Sequence, residues 1–107
     1  MTAGEFFYKI SAMIYESNNK TFEWNDEKAK LNKIKHGVSF KYAVKVFDDD
    51  NKIIFYDETH SQDENRYNVI GKVDEVLFVV FTDRKENFRI ISARKATEFE
   101  RSLYYGY

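Results

Sequence analysis

Residues 89–105 read RIISARKATEFERSLYY and contain two structural patterns in succession. The first part is rich in β-branched residues and predicts a strand over residues 88–94. The second part predicts a helix, because Thr97 and Glu100 have the spacing of a capping box. Two adjacent positive charges, Arg94 and Lys95, lie where the strand leads into this last helix. Cations at such a junction are suited to an anionic ligand.

Four further strands are predicted upstream of this stretch, from runs of β-branched and aromatic residues between polar turns. They cover residues 21–24, 52–56, 66–71 and 75–82. The connections between the last four strands of the chain are short and polar, which is typical of antiparallel hairpins. The sequence therefore predicts a mainly antiparallel sheet.

Two helices are predicted between the first two strands. Asn25 is a good N-cap for a helix that runs to about His36 and ends at Gly37. Ser39 caps a second helix, in which apolar residues recur at helical spacing. The order β–α–α–β–β–β–β–α predicts an α+β domain. We expect the two N-terminal helices to pack on one face of the sheet, with a C-terminal helix at its end and the other face available for a ligand.

The first twenty residues stand apart from this pattern. Residues 5–16 place apolar side chains at helical spacing and predict an additional helix. We therefore expect residues 1–20 to be a helical N-terminal extension and residues 21–107 to form a single domain. A chain of 107 residues is long enough for one hydrophobic core but not for two.

The composition limits the classes of protein to which the chain can belong. A hydrophobic content of 43% is that of a globular protein. The absence of cysteine excludes a disulfide framework and a zinc–thiolate site. The longest strongly apolar run, residues 76–81, is far shorter than the ~20 residues that cross a bilayer, and the N-terminus lacks the pattern of a signal peptide. These features predict a soluble, cytoplasmic domain with no membrane partner.

Charge is distributed unevenly along the chain, although the net charge is only −1. Residues 28–45 contain six lysines and no acidic residue, whereas residues 48–75 contain nine acidic residues and three basic ones. Blocks of opposite sign predict a dipolar surface whose cationic part can hold phosphate. Lysines that simply solvate an exposed helix face explain the first block equally well.

The sequence gives little indication of a metal or a cofactor. Asp57, His60 and His36 could offer metal ligands, but no H-x-x-x-H pair or EF-hand spacing accompanies them, so no metal site is predicted. The four glycines are not clustered, which argues against a glycine-rich phosphate loop and a nucleotide cofactor. Neither histidine lies near Ser92 in the sequence, so nothing specific indicates a serine nucleophile.

The remaining candidate is a set of cationic side chains around the predicted sheet, accompanied by a tyrosine. Its members are Lys35, His36, Arg66, Arg89, Arg94, Lys95 and Tyr104. Arginine offers a bidentate fork to phosphate, and arginines beside aromatic rings suit RNA recognition. Strict alternation along a strand turns Arg89 and Arg94 to opposite faces, so we expect only Arg94 to face a ligand. Surface ion pairs with Glu64, Glu98 or Glu100 are the alternative interpretation of these arginines.

DNA binding is the second function class that the sequence permits. The two helices joined by residues 36–38 resemble a helix–turn–helix in outline. The second helix, however, uses most of its apolar residues for packing and is followed by three aspartates, residues 48–50, which would repel DNA phosphates. A protein-interaction or regulatory module without catalysis is the other alternative to an enzyme.

Several motifs together resemble the BrnT-type toxin family. The most specific are KHGVSF at residues 35–40 and RIISARKA at residues 89–96, and the resemblance extends over roughly residues 21–105. Other matching positions are Phe22, Glu23, Trp24, Lys28, Asn32, Ala43, Phe47, Asp48, Asp49, Asp57, His60, Ser61, Glu64, Arg66, Gly71, Glu100, Arg101 and Tyr104. The resemblance implies a fold similar to that of RelE-type ribonucleases and a role as the toxin of a two-component toxin–antitoxin system. It also implies a ribbon-helix-helix antitoxin as partner, and contact with DNA only through that antitoxin.

The mechanism that the resemblance implies is metal-independent cleavage of RNA, with no cofactor. A general base removes the proton from a ribose 2′-hydroxyl, which attacks the adjacent phosphate, while arginines stabilise the charge on the phosphate oxygens. The expected catalytic residues are His36, Arg66, Arg94 and Tyr104, and the expected substrate-binding residues are Lys35, His60, Arg89 and Lys95. His36 is the expected base or acid with His60 in reserve, and a helix-capping role is the alternative for His36.

Overall fold

The computed structural model describes residues 12–84 and 87–106. These residues form a six-stranded sheet, three α-helices and one 3₁₀-helix, so the predicted α+β class is confirmed. The strands are β1 (Ala12–Ser17), β2 (Lys20–Asn25), β3 (Ile53–Tyr56), β4 (Arg66–Lys72), β5 (Val76–Asp83) and β6 (Phe88–Lys95). The helices are α1 (Asp26–His36), α2 (Phe40–Ala43), the 3₁₀-helix (Val44–Asp48) and α3 (Glu98–Tyr105).

The strands lie in the order β1-β2-β6-β5-β4-β3. Neighbours pair antiparallel except β2 and β6, which run parallel where Phe22 lies beside Phe88. The sheet is therefore mixed rather than purely antiparallel. Local hairpin signals set the direction of β3 to β6, but β2 reaches β6 only after most of the chain has intervened, so no local signal reveals that pairing.

Residues 12–17 form a strand, so the helix predicted over residues 5–16 is wrong there, while residues 1–11 lie outside the described range. β1 pairs with β2 along its whole length, beginning with Ala12 beside Asn25. The cross-strand partner overrides the helical spacing of the apolar residues, because main-chain hydrogen bonds to β2 are available all along this segment.

The turn between β1 and β2 explains why these two strands meet as a hairpin. Asn18 and Asn19 both have positive φ, at 49° and 65°, which suits a type I′ turn of two residues. Asparagine tolerates this backbone conformation better than most residues. The turn sets a register in which Met13 and Tyr15 pack against the core while Ile14, between them, faces the other side.

One face of the sheet is covered by α1, α2 and the 3₁₀-helix, which differs from the two N-terminal helices predicted because two strands precede them and the second helix continues as a 3₁₀-helix. The hydrophobic core lies between this layer and the sheet. The predicted N-caps are confirmed: Asn25 accepts a hydrogen bond from the backbone of Lys28 (3.0 Å), and Ser39 accepts one from that of Tyr42 (3.1 Å). Gly37 ends α1 in the left-handed conformation, with φ at 73°. The layer approaches the sheet closely, since a Cβ atom on Gly71 would lie 2.8 Å from that of Val46.

The second helix is shorter than its sequence pattern predicts. It comprises four residues, of which Phe40 and Ala43 are buried, and it continues as a 3₁₀-helix that contains two β-branched valines. β-branched residues have a lower helix propensity, which favours the early end of α2. A helix of one turn with a buried face cannot serve as the recognition helix of a helix–turn–helix.

The anchor of α1 on the sheet is polar. The side-chain amide of Asn32 donates to the carbonyls of Ala93 (2.8 Å) and Val38 (3.0 Å) and accepts from the N–H of Ala93 (3.2 Å). β2 pairs with β6 only near Phe88, so the backbone of Ala93 has no strand neighbour on that side. Asn32 supplies the missing hydrogen bonds and thereby fixes α1 on β6.

The C-terminal helix α3 lies against β4 and β5 and is fastened at both ends. The predicted capping box is confirmed, because Thr97 N–H donates to Glu100 (2.8 Å) and Glu100 N–H donates to Thr97 (3.2 Å). Near the other end, the hydroxyl of Tyr104 donates to the carboxylate of Asp49 (2.6 Å). This carboxylate also accepts from the backbone of Lys72 (2.7 Å), so it joins α3 to the end of β4.

Candidate functional site

The face of the sheet opposite the helical layer, which we call the open face, carries three rows of side chains across β4, β5 and β6. The register fixes the rows as Arg66–Thr82–Arg89, Asn68–Val80–Ser92 and Ile70–Phe78–Arg94. The first row is polar or charged throughout, whereas the second and third rows combine polar or charged groups with apolar ones. Side chains from three strands converge here, although they are far apart in the sequence.

A β-bulge in β6 places both arginines of this strand on the open face. Val80 pairs with Ser92, but the next residue, Phe81, pairs with Ile90, so Ile91 is the extra residue. The insertion resets the alternation, and the expectation that Arg89 and Arg94 point to opposite faces is wrong. The bulge is a property of the pairing between two strands, which strict alternation within one strand does not show.

A groove of about 480 Å³ runs over the open face. Its lining residues are Asp57, His60, Arg66, Asn68, Phe78, Val80, Ile91, Ser92 and Arg94, and we call it the open-face groove. The structure thus brings together three of the predicted site residues, His60, Arg66 and Arg94. Asp57, Asn68 and Phe78 belong to the same groove, although no sequence pattern predicts that they bind RNA.

His60 and Asp57 form a pair at one side of the groove. The Nδ1 atom of His60 lies 3.0 Å from Oδ2 of Asp57, and the backbone N–H of His60 donates to the same carboxylate (3.2 Å). Desolvation raises the pKa of Asp57, but the hydrogen bonds and charge of His60 outweigh it, so the pKa of Asp57 lies below its ordinary value of 3.8. An ionised carboxylate at Nδ1 orients the imidazole and leaves Nε2 to exchange a proton.

The loop that carries this pair is closed by hydrogen bonds to the start of β4. Asp57 N–H donates to the carbonyl of Arg66 (2.9 Å), and Arg66 N–H donates to the hydroxyl of Ser61 (2.9 Å). These contacts hold His60 near the arginine. Among the described residues, no acidic side chain forms an ion pair with the Arg66 guanidinium, so its charge is available to a ligand.

Arg94 is held in a different way. Its guanidinium donates two hydrogen bonds to Glu100, of 2.7 and 2.9 Å, and lies 4.3 Å from the centre of the Phe78 ring. Hydrogen bonding to Glu100 raises the pKa of Arg94. Burial raises the pKa of Glu100, but the hydrogen bond from Arg94 is the main opposing effect and the pKa ends below its ordinary value. The ion pair between Arg94 and Glu100, which is the alternative interpretation of Arg94 from the sequence, is therefore present. It holds the planar guanidinium over the Phe78 ring at the surface of the groove.

Two side-chain oxygens of the open face are buried without a hydrogen-bond partner in the described part of the chain. They belong to Asn68, in the floor of the groove, and to Thr82, next to Arg66 in the first row. Buried polar groups in folded proteins are normally satisfied by protein groups or by ordered water. Sequence alone gave no sign of either residue, because the register that places them is set by strand pairing.

The other predicted site residues lie outside the groove. Lys35 and His36 end α1 on the helical side of the sheet. Arg89 is on the open face but buried, 3.8 Å from Glu23, and Lys95 lies 3.5 Å from Glu75. The hydroxyl of Tyr104 is bonded to Asp49, and desolvation together with this hydrogen bond raises the pKa of Tyr104 to about 12.

No group of three or more histidine, aspartate or glutamate side chains is placed to hold a metal ion within residues 12–84 and 87–106. In the same ranges, no helix has the length and apolar character needed to cross a membrane.

Comparison with known proteins gives two similarities. Residues 24–100 match the family described as the ribonuclease toxin, BrnT, of type II toxin–antitoxin systems. The crystal structure of the Brucella abortus ribonuclease toxin BrnT shares the fold at 21% sequence identity, with a TM-score of 0.55, over 70% of this chain and 94% of that chain. No curated protein sequence matches the chain.

Proposed function

Because the chain belongs to the BrnT family of ribonuclease toxins of type II toxin–antitoxin systems, we propose that it cleaves RNA in the open-face groove without a metal ion. The observation that supports this assignment most directly is the His60–Asp57 pair beside an arginine that has no acidic partner among the described residues. A base, an orienting carboxylate and a phosphate-binding cation are the groups that transfer of a phosphoryl group to a 2′-hydroxyl requires.

In the proposed reaction, Nε2 of His60 removes the proton of a ribose 2′-hydroxyl. The 2′-oxygen then attacks the neighbouring phosphorus, and the bond from phosphorus to the 5′-oxygen breaks. The products are a 2′,3′-cyclic phosphate and a 5′-hydroxyl, whose proton comes from water because the groove is open to solvent. Asp57 stabilises the imidazolium that forms on His60.

The two arginines of the groove take different phosphates in this proposal. Strands are about 4.8 Å apart and residues about 3.4 Å apart along a strand, so the backbones of Arg66 and Arg94 are on the order of 16 Å from each other. Arg66 is next to the His60 loop and binds the scissile phosphate, where it stabilises the developing charge. Arg94 and Phe78 hold the neighbouring nucleotide by charge and by stacking on a base.

Membership of a toxin–antitoxin family implies an antitoxin partner. We propose that the antitoxin is a ribbon-helix-helix protein, that it covers the open-face groove with an acidic segment, and that it carries the contacts to DNA. An acidic segment competes with RNA phosphates for Arg66 and Arg94. Occupation of both arginines therefore neutralises the toxin.

The test of this function is cleavage of cellular RNA by the purified chain in excess chelator. We expect fragments with 2′,3′-cyclic phosphate ends, and growth arrest when the chain is expressed in bacteria without the antitoxin but not with it. Intact RNA after incubation with a large excess of correctly folded protein would contradict the proposal and favour a non-catalytic interaction module.

A further inference from the structure

Helix α1 exposes its large apolar side chains instead of burying them. Leu31 is 62% exposed and Ile34 is 81% exposed, whereas the buried side chain of the helix is the polar Asn32. A surface helix of a globular protein normally turns its apolar stripe to the core. Exposure of Leu31 and Ile34 does not stabilise the isolated chain. Exposed apolar side chains of this kind are typical of a surface that binds another molecule.

Lysines flank the two apolar side chains on both sides. At about 100° per residue, Leu31 and Ile34 lie one turn apart on the outer surface, with Lys30 and Lys33 to one side and Lys28 and Lys35 to the other. We call these six side chains the α1 ridge. Lys30 is paired with Asp26 (3.3 Å), while in the described ranges Lys28, Lys33 and Lys35 have no acidic partner. Residues 28–45 contain no acidic residue at all.

We propose that the α1 ridge binds an acidic amphipathic helix of the antitoxin, an inference that rests on the proposed function for the identity of the partner. Such a helix has an apolar stripe for Leu31 and Ile34 and carboxylates for the lysines on either side. The complementarity is therefore both apolar and electrostatic. A purely apolar partner would leave the lysines unpaired, and a purely acidic partner would leave Leu31 and Ile34 exposed.

The composition of the ridge disfavours the other two candidate partners. RNA would engage the lysines, but its phosphates and riboses offer no aliphatic surface to Ile34, which is the most exposed large apolar side chain of the described residues. A second copy of the chain that docked through the same ridge would bring two sets of lysines together, which is unfavourable.

The position of the ridge separates binding from inhibition. α1 lies on the helical side of the sheet, and the open-face groove lies on the other side. An antitoxin that binds the α1 ridge must extend a second segment around the sheet to cover the open-face groove. Substitution of Leu31, Ile34, Lys28 or Lys33 therefore reduces the affinity for the antitoxin without changing the cleavage of RNA by the free toxin.

The test compares two variants of the full chain by titration calorimetry with the purified antitoxin. In the double variant L31S/I34S we expect the Kd to rise by about a hundredfold, because two aliphatic side chains lose their buried contact. The control is Phe99→Ser, which removes a 70% exposed apolar side chain from α3 and should leave the Kd unchanged. RNA cleavage by both free variants should equal that of the unaltered protein.

A second pair of substitutions tests the charges. K28Q/K33Q should raise the Kd by about tenfold and should make it less dependent on salt, as expected for ion pairs at the rim of an interface. An unchanged Kd in both double variants would overturn the proposal that the α1 ridge binds the antitoxin, and it would leave the proposed function intact. Loss of RNA binding in K28Q/K33Q would also overturn this proposal, in favour of RNA as the partner. A dimer of the free toxin that L31S/I34S dissociates would overturn it in favour of a second copy of the chain. Failure of the unaltered protein to cleave RNA, with the effects on the antitoxin still present, would contradict only the proposed function.

Discussion

At the residue scale, the two histidines have different surroundings, and these surroundings distinguish their roles. His60 has an ionised carboxylate at Nδ1 and lines a groove with an arginine, whereas His36 ends a helix on the other side of the sheet. The spacing Asp57-x-x-His60 was visible in the sequence but suggested only two metal ligands. The position of His60 near Arg66 depends on the closure of the loop on β4, which is a tertiary contact that the spacing does not show.

The residue-scale prediction concerns the rate and its dependence on pH. His60→Gln should lower the rate of RNA cleavage by about 10² to 10⁴-fold, the usual contribution of a general base, and should change the pH profile of the rate. The matched control is His36→Gln, which should keep both the rate and the profile. Equal losses in the two variants, or an unaltered profile in His60→Gln, would show that His60 transfers no proton.

At the element scale, two acidic side chains attach α3 to the sheet. Glu100 holds Arg94, and Asp49 holds the hydroxyl of Tyr104. Desolvation raises the pKa of Asp49, but hydrogen bonds, led by that from Tyr104, outweigh it, so the pKa of Asp49, like that of Glu100, is below its ordinary value. A carboxylate with a lowered folded-state pKa stabilises the fold above its unfolded-state pKa, and this stabilisation is lost as the pH falls through the folded-state value.

The element-scale prediction follows from the lowered pKa of Glu100 in the folded state. Glu100→Gln should lower the free energy of unfolding at pH 7 by about 1–2 kcal/mol, because it weakens a charged hydrogen-bonded pair that is partly buried. The difference from the unaltered protein should shrink as the pH falls below about 4.5 and the carboxyl becomes protonated in both states. Urea unfolding at a series of pH values measures it. Glu98→Gln, in the exposed first turn of α3, should change little, and a difference that grows towards acid pH would contradict this account.

The same scale shows how far the sequence could predict the fold. The caps at Asn25, Ser39 and Thr97 and the four strands from residue 52 onwards are local patterns, and all of them are confirmed. The strand at residues 12–17, the parallel pairing of β2 with β6 and the bulge at Ile91 are not local. Each of these three features depends on which strand pairs with the segment concerned. The set of side chains that line the open-face groove depends on the bulge at Ile91.

At the scale of the whole molecule, charge is separated between a basic segment and an acidic one. Residues 28–45 carry six lysines without an acid, and residues 48–75 carry nine acidic residues against three basic ones. The acidic segment repels DNA phosphates, and the net charge of −1 provides no general attraction to them. In addition, α2 is a single turn with Phe40 and Ala43 buried, so the described residues offer no recognition helix after α1.

The last prediction concerns DNA binding by the toxin–antitoxin complex. The complex should bind the DNA upstream of its own genes, whereas this chain alone should not. Sequence-specific binding requires both phosphate contacts and base contacts, and in the proposed function the antitoxin supplies them. A mobility-shift titration at physiological salt, with the chain, the antitoxin and the complex in parallel and an unrelated duplex as control, distinguishes the possibilities. Tight, sequence-selective binding by the isolated chain would overturn this arrangement and restore the DNA-binding alternative. Binding by the antitoxin and by the complex, with none by the chain, would assign DNA recognition to the partner and leave the open-face groove for RNA.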